Sequence, residues 1–269
     1  MSERPRYLVV GYGSIGRRHA RLIRKLRPAA EIVVVDPECP ELEPDGVWNW
    51  FHRDLGRALE TFDAVAGAVV ASPFSFHVEQ AQRLTAYGLP FMLEKPPAAL
   101  GQIKALRDLE RVVAHARLPH AVGFCYRYHK SFSPAAVERL RDARLFVVTA
   151  QDDLIGRYGP TVAETMATHA IDLALWILGP TLTRAVADAQ GGTVFSAQFR
   201  HSGGTSAYSI RIDRGPRMFT VNHDKDVPAD DDMYERQMAA WLAMLETGHR
   251  DERLATLADG VAVMQTLER

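Results

Sequence analysis

Gly11, Gly13 and Gly16 stand at a G-x-G-x-x-G spacing, GYGSIG, directly behind the apolar run Tyr7 to Val10. The chemistry open to such a loop is the holding of a pyrophosphate. The first glycine permits a tight turn, the second lets backbone approach the phosphates, and the third lets the following helix sit close to the sheet. The N–H groups and positive end of that helix complete an anion site. Asp36 closes the next β-branched run, Ile32 to Val35, about 20 residues after Gly16, where a carboxylate can hold ribose hydroxyls. The glycine pattern alone is weak. Behind a strand, opening a helix and followed by an acid, it points to a dinucleotide. Asp36 would oppose a 2′-phosphate, and no Lys or Arg occurs from Pro37 to Phe51 to neutralise one, so NAD(H) is expected over NADP(H).

Glu94-Lys95-Pro96 follows another short apolar run, Phe91 to Leu93. Ligands of parallel sheets bind outside the carboxyl ends of the strands, so Lys95 is placed to reach a cleft and move a proton. The chain must turn Lys95 into that cleft at once, and a cis or sharply bent Lys95–Pro96 linkage is expected. Further on, Thr165, His169 and Asp172 are spaced i, i+4, i+7 and share a face if one helix carries them. A capping threonine and a buried, satisfied histidine explain that spacing equally well.

These residues need a scaffold. Ile15, His19, Leu22, Ile23 and Leu26 recur at helical spacing until Pro28. Strands are expected near Val47 to Phe51, at Ala64 to Ala71, at Phe91 to Leu93 and at Ala121 to Phe124. Helices are expected from about Ser75 to Tyr87 and through Ile103, Leu106, Leu109, Val113 and Ala116. Alternation of this kind predicts a doubly wound parallel sheet, an α/β Rossmann domain over residues 1–122. Beyond it, Phe195, Ala197 and Phe199 alternate with polar residues, His201 to Gly204 offers a turn, and Tyr208 and Ile210 resume the apolar face. This predicts a C-terminal α+β domain, residues 123–269, on a mostly antiparallel sheet. Helices are expected at Ile171 to Leu178, from about Met233 to Glu246, and through Val261 to Leu267, the last two free to pack back on the first domain.

Composition narrows the function classes. With 269 residues, 32 basic and 33 acidic side chains and a net charge of -1, the chain lacks the basic excess of a nucleic-acid binder. No apolar stretch approaches the ~20 residues of a membrane span. Cys39 and Cys125 show neither metal-ligand spacing nor a disulfide framework, so no metal is expected and the expected setting is cytoplasmic.

The segments VVGYGSIGRRHA, VVASP with His77 shortly after, GLPFMLEKP, VGFCYRY and HAIDLALWILG occur in an order that resembles the Gfo/Idh/MocA family of NAD(P)-dependent oxidoreductases. The resemblance implies hydride transfer between the nicotinamide and a secondary alcohol or ketone of a sugar, polyol or related small molecule. It implies Lys95 as catalytic acid/base and His169 as its partner on the hydroxyl. It also implies cofactor contacts from Gly11, Tyr12, Gly13, Ser14, Ile15, Gly16, Asp36, Ser72, Pro73, His77, Glu94 and Lys95. Substrate contacts are expected from Arg127, Tyr128, Tyr158, Thr165 and Asp172, and a homo-oligomer through the C-terminal sheet. Many members carry an aspartate four residues before the histidine, where this chain has Thr165, and the stretch Asp152 to Ala163 is short. That departure leaves a second expectation beside the enzyme: a catalytically reduced NAD(H)-binding sensor or scaffold.

Overall fold

The computed structural model describes residues 4–38, 46–130, 132, 145–151, 168–169, 171–173, 175–177, 185–190, 194–201, 204–213, 218–221, 226–228 and 232–268. The chain divides into two compact units, Met1–Gly123 with Glu235–Val261, and Phe124–Tyr234 with Ala262–Arg269.

The first unit is built on six parallel strands, β1 (Arg6–Val10), β2 (Glu31–Val35), β3 (Trp50–His52), β4 (Val65–Val70), β5 (Phe91–Leu93) and β6 (His120–Val122), in the order β3-β2-β1-β4-β5-β6. Leu8 to Val10, Ile32 to Val35 and Ala68 to Val70 are buried end to end, as strands covered on both faces must be. The connections are α1 (Ser14–Leu26), α2 (Leu55–Thr61), α3 (His77–Ala86) and α4 (Ile103–Ala116). In α1 the buried positions are Gly16, His19, Ala20 and Ile23, one stripe at helical spacing, and Arg24 and Lys25 meet the negative end of the helix. The order reverses between β1 and β4, so the loops leaving these two strands diverge and open a crevice there.

The C-terminal segment of this unit packs on the same sheet. Trp241, in the helix Asp232–Thr247, is fully buried, and a Cβ on Gly67 of β4 would lie 3.1 Å from its ring. Truncating a tryptophan in such a place costs about 3–5 kcal/mol. The Val122 N–H donates to the Ala255 carbonyl at 2.9 Å, and Gln237 Nε2 to the Val122 carbonyl at 3.3 Å, which ties off edge strand β6.

Local differences from the sequence reading have physical causes. The strand expected at Val47 to Phe51 begins at Trp50, because Asn49 pairs with Ile32 through its side chain as well as its backbone. The helix expected from Ser75 opens as a 3-10 turn, Phe74–Phe76, and becomes α at His77. Helix α2 was not anticipated; the Asp54 carboxylate starts it by accepting the Arg57 N–H at 3.0 Å.

The second unit holds a sheet of β7 (Leu145–Gln151), β8 (Ala185–Gln190), β9 (Val194–His201), β10 (Gly204–Asp213), β11 (Met218–Val221) and β12 (Asp226–Pro228), in the order β12-β11-β7-β10-β9-β8. The β7–β10 pair is parallel and the other pairs are antiparallel. Residues 168–169, 171–173 and 175–177 are helical. Among the described residues no helix is long and apolar enough to cross a membrane. Cys39, Tyr158, Thr165 and the stretch Asp152 to Ala163 lie outside the described residues.

Candidate active site

The glycine loop occupies the crevice between β1 and β4. Gly11 has φ +88°, a conformation that L side chains rarely adopt, and its N–H donates to the Val35 carbonyl at 2.7 Å. A Cβ on Gly11 would stand 2.4 Å from the Ser72 backbone nitrogen, and one on Gly16 would stand 1.9 Å from the Gly11 carbonyl oxygen. Gly13 differs. A Cβ there would meet nothing within 4 Å, so this glycine borders open space where the others fit strand to helix. No side chain caps the start of α1, which leaves its first N–H groups for an anion. Ser14 is exposed and Ile15 half-buried beside them. Tyr12 is buried, with the Arg17 guanidinium 4.9 Å from its ring centre.

Asp36 follows β2. Its Oδ2 accepts the Tyr12 N–H at 2.7 Å and its Oδ1 accepts the Glu38 N–H at 3.0 Å. A carboxylate has about four acceptor directions, so the two bonds orient it and leave capacity for a ribose hydroxyl. The β2–β3 pairing carries Arg53 back to this loop, where its guanidinium donates to the Pro37 carbonyl at 2.9 Å. The cradle fits a dinucleotide on three counts: an uncapped helix start, a glycine facing open space, and an oriented acid beyond the second strand.

Lys95 leaves the carboxyl end of β5, half-buried, through a cis bond to Pro96. Its neighbours hold it from both sides. On one side, buried Glu94 receives His19 Nε2 from α1 on Oε1 at 2.7 Å and the Lys95 N–H on Oε2 at 3.1 Å. Gly123 makes room for that carboxylate, since a Cβ there would lie 2.9 Å from it. On the other side, buried His77 sets Nδ1 2.8 Å from the Pro96 carbonyl and Nε2 2.9 Å from the Ser72 carbonyl. Ser72 in turn donates its hydroxyl to Gln80 Oε1 at 2.6 Å, while Pro73 is exposed. Burial alone would raise the Glu94 carboxyl, but the hydrogen bond and charge of His19, helped by Lys95, hold it below the usual carboxylate range. Burial pushes the His77 imidazole down, and its two carbonyl contacts recover only part of the shift.

The second unit has its own polar cluster. The His169 ring stacks on Tyr126 at 4.3 Å and 15°, with Phe124 edge-on at 6.4 Å. Arg127 and Asp172, expected as substrate contacts, are bonded to each other. Nη2 donates to Oδ1 at 2.6 Å and Nε to Oδ2 at 3.0 Å, and both side chains are buried. Removing one partner of such a pair costs about 3–5 kcal/mol. Trp176 faces the Arg127 guanidinium at 5.6 Å, and Tyr128 is buried.

Three residues near these sites were missed from sequence. His19 looked like one more position of the buried helical stripe, and a histidine on an apolar stripe was the available signal. Gly123 gave none. Arg53 lies two residues beyond the interval searched for a cation, and only the β2–β3 register brings it to Asp36.

Residues 5–124 match the family model GFO_IDH_MocA, described as an oxidoreductase family with an NAD-binding Rossmann fold. The inositol 2-dehydrogenase of Agrobacterium fabrum is 30% identical over 186 residues, 63% of this chain and 53% of that protein. The inositol 2-dehydrogenase of Streptomyces avermitilis is 30% identical over 199 residues, 68% of this chain and 56% of that protein. The chain thus spans about half the length of the curated relatives it matches. Among solved structures, the scyllo-inositol dehydrogenase of Lactobacillus casei, with bound NAD(H) and scyllo-inositol, superposes with a TM-score of 0.78 at 14% identity, covering 98% of this chain and 95% of that one. GenD2 from gentamicin A biosynthesis, in complex with NAD, gives 0.77 at 20% identity, covering 100% and 93%. At these identities the likeness is one of fold.

Proposed function

We propose that this chain, whose residues 5–124 match the model of an oxidoreductase family with an NAD-binding Rossmann fold, is an NAD(H)-dependent dehydrogenase of a secondary alcohol on a cyclic polyol or sugar. The observation that carries the proposal is the Lys95 loop. A half-buried lysine stands at the carboxyl end of β5, in the same sheet as the glycine cradle, with buried groups fixing both of its neighbours.

When bound, the nicotinamide supplies or accepts the hydride. The α1 start and Gly13 hold the pyrophosphate, and Asp36 takes the adenosine ribose. Ser72, Pro73 and His77 are assigned to the cofactor on the family resemblance. Lys95 holds or removes the proton of the reacting hydroxyl at Nζ. His169 is assigned a hydrogen bond to the same oxygen on the family resemblance. Tyr158 and Thr165 remain assigned to the substrate on the same ground. Arg127 and Asp172, bonded to each other, are assigned to support the segment that carries His169, and Tyr128 stays assigned to the substrate. Residues 1–122 are assigned to the cofactor domain, joined by the C-terminal segment Glu235–Val261 that packs back on it, and the rest of residues 123–269, with the mixed sheet of β7 to β12, is assigned to the substrate domain and the face for a homo-oligomer. NAD(H) is preferred over NADP(H) because Asp36 opposes a 2′-phosphate. The proposed setting is cytoplasmic, from two cysteines whose spacing in the sequence suggests no disulfide framework.

The test is direct. The protein is mixed with NAD and a panel of inositols and other polyols, or with NADH and keto-sugars, and the nicotinamide absorbance is followed. Turnover with at least one cyclic polyol is expected. Tight NADH binding with no turnover across the panel would favour the sensor reading, which Thr165 in place of the usual aspartate supports.

A further inference from the structure

We propose that His19 is a positioning residue for Lys95, acting through Glu94 to link the cofactor-binding helix to the proton-transferring lysine. The inference rests on the assignment of Lys95 above. His19 sits one turn into α1, past the glycine loop, and is 1% exposed. Its Nε2 reaches across to Glu94 Oε1 at 2.7 Å, and the other oxygen of that carboxylate accepts the Lys95 N–H at 3.1 Å. One carboxylate therefore bridges the helix that would carry the pyrophosphate and the backbone of the lysine.

Three features mark a bridge built for position. Burial of an ionised carboxylate is unfavourable unless it is paired and hydrogen-bonded, so Glu94 requires His19 at this place. Gly123 leaves the space the carboxylate occupies, and any Cβ there would displace it. Among the described residues His19 Nδ1 has no hydrogen-bond partner, and the ring's side-chain bond is the one to Glu94. The charged and titratable groups acting on Glu94 are His19 from α1, Lys95 from its own loop and His77 from α3. His77 holds the far side of the lysine through the Pro96 carbonyl, so the segment is fixed at both ends.

Without His19, Glu94 would lose its main hydrogen bond, take up a proton more readily in its buried site, and cease to favour the ammonium form of Lys95. The probe is competitive acetylation of amines across pH with NADH present, read by mass spectrometry on the peptide carrying Lys95. In His19→Leu the Lys95 titration midpoint is expected to fall by about one unit. In His19→Gln, which keeps an N–H donor near the position of Nε2, it is expected to return toward the wild-type value. Glu94→Gln removes the charge at nearly constant shape, reproduces the fall, and carries the test if His19→Leu does not fold. With a turned-over polyol, His19→Leu is expected to lower kcat about tenfold to a hundredfold with KM changed little. An unchanged Lys95 midpoint in both His19→Leu and Glu94→Gln would overturn the inference. The labelling needs no turnover, so it decides this point even if the assigned activity is wrong, and wild-type turnover decides the activity separately.

Discussion

At the scale of single residues, two side chains are proposed to divide the work of binding and proton transfer, and each can be removed alone. Lys95→Met deletes the group proposed to move the proton and leaves the glycine cradle intact. It is expected to lower kcat by about 10²–10⁴. NADH affinity should stay within a few-fold, and a variant with near-normal kcat would remove Lys95 from the mechanism. Asp36 is the residue proposed to set the choice between cofactors. Two like charges at ~4 Å in a partly exposed site repel by up to about 4 kcal/mol, and solvent reduces that. Arg53, bonded to the Pro37 carbonyl, offers a cation nearby and reduces it further. We therefore expect NAD(H) to bind about tenfold to a hundredfold tighter than NADP(H). Arg53→Ala should widen the gap and Asp36→Ser should close it. Fluorescence titration of both cofactors measures this, and equal affinities in the wild type would take the role from Asp36.

At the scale of elements, the three glycines separate stability from binding. Gly16→Ala drives a Cβ to 1.9 Å from the Gly11 carbonyl, between strand and helix, and should destabilise by about 1–3 kcal/mol or more. Gly13→Ala meets nothing within 4 Å and should melt close to the wild type. Its methyl group enters the space assigned to the pyrophosphate, so NADH affinity is expected to fall about tenfold or more, roughly 1.4 kcal/mol. Calorimetry and cofactor titration on both variants check this. A Gly13→Ala protein with unchanged NADH affinity would place the phosphates elsewhere. The same loop shows why this part of the molecule was legible in sequence. A glycine spacing, a buried β-branched run and an acid at its end are local patterns, and each has one cheap structural solution. What was not legible is set by register and by contacts distant in the chain. Asn49 delays β3 by mimicking a strand partner, and Asp54 starts a seven-residue helix too short to show a period. His19 meets Glu94 from 75 residues away, and Arg127 meets Asp172 from 45. Neither pair has a sequence signature, and both become visible only when the fold closes on them.

At the scale of the whole molecule, buried histidines tie stability to pH. The folded protein holds His77 and His120 below the ordinary imidazole value because burial disfavours their charged forms. The unfolded chain binds protons on both near pH ~6.5 and the folded chain binds them only at lower pH, so stability falls as pH drops through that value. Glu94 is shifted the opposite way for its type. Its contribution survives until the pH falls below the usual carboxylate range and is constant over this window. Between pH 6.5 and 5.5 the two histidines together should lower stability by up to about 2 kcal/mol, or at most roughly 4–8 °C in Tm for a chain of this size. Calorimetry across that interval tests the sign, and His77→Asn should flatten the slope. A Tm that rises on acidification would mean that one of these rings is charged in the fold.

The central claim is that a hydride moves between the nicotinamide and a carbinol carbon while Lys95 handles the proton. It is tested most directly by incubating the protein with NAD and a polyol deuterated at its carbinol carbons, then analysing the reduced cofactor. Deuterium at nicotinamide C4 is expected with wild-type protein, and little reduced cofactor with Lys95→Met. Reduced cofactor without deuterium at C4, or none at all from any polyol in the panel while NADH still binds, would contradict it.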